Sequence, residues 1–71
     1  MEQQEAMTVP EYRTRVLNER SELHDKIDKL AAFLKTPTYN GLDDEDRALL
    51  SQQLRAMRNY IDILDERISR F

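Results

Sequence analysis

An all-α fold is predicted: an antiparallel two-helix hairpin with a short N-terminal arm, assembled into a helical homo-oligomer. Three observations predict it. From Leu50 the apolar residues Leu54, Met57, Ile61, Leu64, Ile68 and Phe71 follow in alternating steps of 4 and 3. That heptad stripe is the mark of a helix that lays one seam against a partner helix. The first half carries the same rhythm in Tyr12, Val16, Leu23, Ile27, Leu30 and Leu34, with Arg20 at the missing step. Finally, the 71 residues include one glycine, two prolines and 35% charged side chains, a balance that suits long helices.

The chain divides into an arm, residues 1–8, and a hairpin, residues 9–71. The opening MEQQEAM is polar and without periodicity. Thr8-Val9-Pro10-Glu11 then has the capping-box spacing, Thr followed three residues later by Glu, with Pro in the first turn. A first helix is expected over about residues 9–35. Glu22 with Lys26, and Asp25 with Lys29, are candidate i,i+4 pairs in the favourable order. Pro37 disfavours helical geometry at Thr36, and Asn40-Gly41 signals a turn, so Thr36–Leu42 reads as the connection. Asp43 is the expected cap of a second helix, over about residues 44–70. Its acidic first turn, Asp44, Glu45 and Asp46, complements the helix dipole.

A single core in a chain this short rarely contributes more than about 3–5 kcal/mol, and a staple is usual. With no cysteine, neither a disulfide nor a thiolate metal site is available. Self-association is the remaining staple. A second row, Leu49, Ala56, Tyr60 and Ile63, runs beside the heptad stripe. With Leu17 and Phe33 it exceeds what one seam covers, and subunit interfaces are its expected place.

Several function classes lose support. No apolar run has the length of a membrane span and no signal-peptide pattern opens the chain, so a soluble cytoplasmic protein is expected. A net charge of −3 argues against a polymeric nucleic-acid partner. The run Asp43–Asp46 lacks the alternating ligands and glycine turn of a calcium loop, and no metal or cofactor is expected. The one histidine, His24, has no strained nucleophile turn or Glu-x-x-His motif to work with; no catalytic residue is assigned and no enzymatic activity is expected.

The basic residues of the first helix read first as a solvated face. Tyr12 and Lys26 also admit a sharper reading. Fourteen residues return to within roughly 40° of the same face, about 21 Å along the axis. One straight helix cannot close both on a small ligand, but two antiparallel copies can. A flat, anionic, nearly two-fold ligand suits such a pocket, and a cyclic dinucleotide has those properties. Arg13 and Lys29 are candidate assistants. The pattern is compatible with that ligand without selecting it.

The order Tyr12-Arg13-Thr14-Arg15-Val16, Glu19-Arg20-Ser21-Glu22-Leu23, Lys26-Ile27-Asp28-Lys29-Leu30, Phe33-Leu34, Leu49-Leu50, Gln53-Leu54, Met57, Tyr60, Ile63-Leu64 and Arg67-Ile68 resembles a known group. It is similar to the bacteriophage anti-CBASS proteins of family two, small cyclic-oligonucleotide sponges. The resemblance covers about residues 11–68 and rests on joint order, since no single motif is diagnostic. It implies a homohexamer in the cytoplasm of the infected bacterial host. It also implies capture, without cleavage, of cyclic dinucleotides such as cGAMP, and in some members of cyclic trinucleotides at separate sites. Tyr12 and Lys26 match the residues that contact the dinucleotide, and Arg67 matches an arginine of the trinucleotide site. The rival reading is a helical-hairpin protein–protein module with no nucleotide ligand.

Overall fold

The structure is a computed structural model and describes residues 8–71. The arm expected over residues 1–8 lies outside it except for Thr8. Helix α1 spans Val9–Phe33, a short helix α2 spans Pro37–Asn40, and helix α3 spans Asp44–Ser69. No strand occurs among the described residues. The two long helices pack together as an antiparallel hairpin, so the fold is all-helical.

Each helix start is tied by a side chain. The capping box forms at α1: Thr8 Oγ1 accepts from the Glu11 N–H at 3.2 Å, and Glu11 Oε1 accepts from the Thr8 N–H at 3.0 Å. Two of the backbone donors a helix start leaves open are thereby used. At α3, Asp43 Oδ1 accepts from the Asp46 N–H at 2.8 Å. The acidic run therefore begins with a cap and continues as the dipole-matched first turn.

The connection differs from the expected plain loop. α1 stops at Phe33, and Thr36 opens one further helical turn with Pro37 in its first position. Proline ends one helix but is pre-organised to begin the next, because its missing N–H is not needed there. Thr36 Oγ1 donates to the Phe33 carbonyl at 2.7 Å and accepts from the Tyr39 N–H at 3.3 Å, so one hydroxyl closes α1 and starts α2. Tyr39 then lays its ring edge-on to Phe33, centroids 6.2 Å apart, and its hydroxyl donates to the Arg47 carbonyl. Phe33 is thus half-covered within the chain.

The core is a single seam of Val16, Leu23 and Ile27 from α1 against Leu54, Ile61 and Leu64 from α3. Leu30, Leu34, Met57 and Ile68 extend it as half-buried rungs. Arg20 takes its heptad position by sending its guanidinium across to Asp65, Nε to Oδ1 at 2.7 Å. The Cα radius of gyration is 16.1 Å, against about 11 Å for a compact globule of this length. One thin seam in an elongated rod leaves Leu17, Leu49, Tyr60 and Ile63 between 41% and 54% exposed.

Candidate functional site

The antiparallel register sets the start of α1 beside the end of α3. Tyr12 lies in the first turns of α1 and Arg67 in the last turn of α3. Arg67 Nη2 donates to the Tyr12 hydroxyl at 2.7 Å, and the same guanidinium lies 5.5 Å from the Tyr12 ring centre. Beyond the helix end, Phe71 meets Tyr12 edge-on, centroids 6.2 Å apart at 62°. Arg13 stands 5.3 Å from the Phe71 ring centre. The backbone places Phe71 by turning back on α3: the Phe71 N–H donates to the Ile68 carbonyl at 3.0 Å.

This end of the hairpin therefore holds two aromatic rings and two guanidinium groups. Neither Arg13 nor Arg67 has an ion-pair partner among the described residues, and neighbouring Glu11 is committed to the Thr8 cap. Each exposed cation–π contact is worth about 0.5–1 kcal/mol, enough to order the groups without burying them. Tyr12 keeps 42% of its surface exposed. Rings with open faces accept flat bases, and a guanidinium offers paired donors to phosphate oxygens.

Of the residues expected at a ligand site, the hairpin brings together Tyr12, Arg13 and Arg67 and leaves Lys26 and Lys29 elsewhere. Arg67, expected at a separate second site, is in contact with Tyr12. Lys26 and Lys29 are exposed further along α1. Because α1 is one uninterrupted helix, Lys26 stays about 21 Å along the axis from Tyr12 within a chain. The expected pairs Glu22–Lys26 and Asp25–Lys29 are not in ion-pair contact among the described residues. Holding long exposed side chains together gains little over solvating them, and both ammonium groups face solvent.

Four further features come from the fold. Phe71 joins the cluster although the stripe alone reads it as the last core rung. Tyr60, expected at a subunit interface, donates its hydroxyl to the Glu19 carboxylate of its own chain while its ring stays 41% exposed. His24 pairs with Asp28 at 3.5 Å, one turn along an exposed face. The Asp65 carboxyl is held below the usual aspartate range by its hydrogen bond from Arg20, and the Arg20 guanidinium is raised by the same bond.

A family model described as Sequestin matches residues 10–70. The chain belongs to the Sequestin family. Membership suggests a sequestering function and fits the sponge expected from the residue order. Nothing among curated proteins or solved structures matches the chain. No helix of the described residues is long and apolar enough to cross a membrane.

Proposed function

We propose that this Sequestin-family protein is a phage immune-evasion sponge of the anti-CBASS type. It binds cyclic dinucleotide second messengers, with cyclic trinucleotides as a further ligand class, and withholds them without cleaving them. It works as a homo-oligomer, of hexameric form by resemblance, in the cytoplasm of the infected bacterial host. The observation that carries the reading is family membership over residues 10–70. The exposed ring of Tyr12 and the solvent-facing Lys26 are its chemical support.

In this mechanism two antiparallel copies of α1 bring Tyr12 of one chain near Lys26 of the other. Each tyrosine stacks on a base and each lysine neutralises a phosphate. Arg13 and Lys29 add donors at the rim, and Arg67 serves the second ligand class. Capture is mass action: the free messenger falls below the level its effector needs. No covalent step is involved, and no metal or cofactor is required.

Calorimetry with purine and pyrimidine cyclic dinucleotides tests the reading. Binding by the wild type, abolished in Lys26→Ala with unchanged oligomer mass, is the expected result. A folded protein that binds none of them overturns it. The exposed row Leu49, Tyr60 and Ile63 favours one rival, a hairpin that docks on another protein. That rival requires no nucleotide binding and a pulled-down partner lost when Ile63 is made charged.

A further inference from the structure

Two residues hold the Tyr12 side chain, and they restrain different motions. Arg67 Nη2 donates to its hydroxyl at 2.7 Å. That hydroxyl lies on the axis about which a tyrosine ring turns, the line from Cβ through Cγ and Cζ. A bond there fixes where the ring ends and leaves its plane free, because this terminal torsion is broad. The Arg67 guanidinium also lies 5.5 Å from the ring centre, near the outer reach of such contacts at about 6 Å. Phe71 instead packs against the ring itself, centroids 6.2 Å apart at an interplanar angle of 62°. Contact with the body of the ring fixes its plane, and the plane is what a flat base stacks on.

The backbone sets Phe71 in that place. Helix α3 ends at Ser69, the Arg70 N–H donates to the Arg67 carbonyl at 3.1 Å and the Phe71 N–H to the Ile68 carbonyl at 3.0 Å. These tight bonds to the third residue back close the last turn and carry the chain round toward α1. Phe71 keeps 38% of its surface exposed, so burial alone is a weak account of a large ring at this point.

The same ring serves a second group. Arg13 follows Tyr12 in sequence and stands 5.3 Å from the Phe71 ring centre. Arg13 has no ion-pair partner among the described residues. A guanidinium resting on an aromatic ring keeps N–H groups at its edge, and those are the donors a phosphate takes. Phe71 therefore touches both a candidate base platform and a candidate phosphate donor.

We infer that Phe71 is a positioning residue of the cyclic dinucleotide site. It sets the plane of the Tyr12 ring and holds Arg13 beside it before the ligand arrives. The inference rests on the sponge reading proposed above, in which Tyr12 stacks on a base, and adds to it a residue that need not touch the ligand. Ordering these groups in advance lowers the cost of binding. The effect therefore falls on affinity and leaves assembly unchanged.

Phe71→Leu keeps an apolar side chain and removes the ring. It is expected to weaken cyclic dinucleotide binding about three- to tenfold, the range an edge-to-face aromatic pair spans. Phe71→Tyr restores the ring and is expected to bind as wild type. Calorimetry measures both, with native oligomer mass and circular dichroism expected to match wild type. Proton NMR of the wild type is expected to show cross-relaxation between the Tyr12 and Phe71 rings. A ring-current shift at Tyr12 should vanish in Phe71→Leu and persist in Phe71→Tyr. Three results overturn the inference and leave the sponge reading standing: a leucine variant as tight as wild type, a tyrosine variant as weak as the leucine variant, or a binding-competent wild type without Tyr12–Phe71 cross-relaxation. A wild type that binds no cyclic dinucleotide, with its two rings in contact, overturns the sponge reading and the ligand role of Phe71 together.

Discussion

Gly41 closes α2 with φ −84° and ψ −7°, ordinary right-handed geometry that any residue adopts. A methyl group there would meet the Thr38 and Pro37 carbonyl oxygens at 3.5 and 3.7 Å, normal van der Waals contact. Gly41→Ala is expected to stabilise the protein by about 0.4–1 kcal/mol, because alanine leaves the unfolded chain fewer states to lose. Urea unfolding at fixed protein concentration measures it, and a lowered midpoint refutes the assignment of that turn. Asp65 has a pH signature. Its pKa is lowered in the folded protein by the hydrogen bond from Arg20. The pair's contribution is therefore complete above the usual aspartate range and lost as pH falls through the lowered value. The melting temperature of wild type is expected to exceed that of Asp65→Asn at neutral pH, with the gap closing in acid. A gap that is constant with pH would show that the asparagine acts through packing.

The elements were legible wherever periodicity and capping agreed. Leu54, Ile61 and Leu64 are buried where the heptad steps place them, and Thr8 and Asp43 cap where their spacing says. The connection is less legible because Thr36-Pro37 reads first as a stop. The same dipeptide is also a start, threonine as cap and proline in the first position. Thr36→Ala removes a hydroxyl that serves both helices and is expected to cost about 1 kcal/mol. Loss of the Tyr39 contact with Phe33, seen as a change in tyrosine fluorescence, should accompany it; an unchanged stability would assign the turn to Tyr39 packing alone. The Tyr12–Arg67 contact was hidden for a related reason. Sequence gives each helix its face, but the register between helices is set by the rise and turn of the connection. Without α2, residue 12 cannot be matched to residue 67 rather than to a neighbour one turn away. Phe71 was hidden likewise: the stripe continues to it, while the helix ends at Ser69.

At the scale of the whole molecule, a rod of 48 × 24 × 15 Å with one seam leaves large apolar side chains uncovered, and a groove lined by Gln52, Ala56 and Asn59 is open and does not enclose a ligand. Under the sponge reading, both deficits are met by other copies of the chain. That arrangement makes a prediction no single-chain site shares. Tyr12→Ala and Lys26→Ala each remove one wall of every pocket, and each alone is expected to lose cyclic dinucleotide binding. Unfolded together and refolded as a mixture, the two proteins form some mixed antiparallel pairs. In such a pair, Tyr12 of the lysine variant faces Lys26 of the tyrosine variant, and one half-site is whole. The other half lacks both groups. Binding in the mixture should therefore return in part, weaker than wild type, and native mass spectrometry should find ligand only on mixed assemblies. If Tyr12 and Lys26 served one site within each chain, mixing would restore nothing, since every chain lacks one of them. The rod geometry excludes that second case on distance, with about 21 Å of straight helix between the two residues. A mixture that stays inactive, from variants whose oligomer mass matches wild type, would break the pairing of α1 helices on which the sponge mechanism depends.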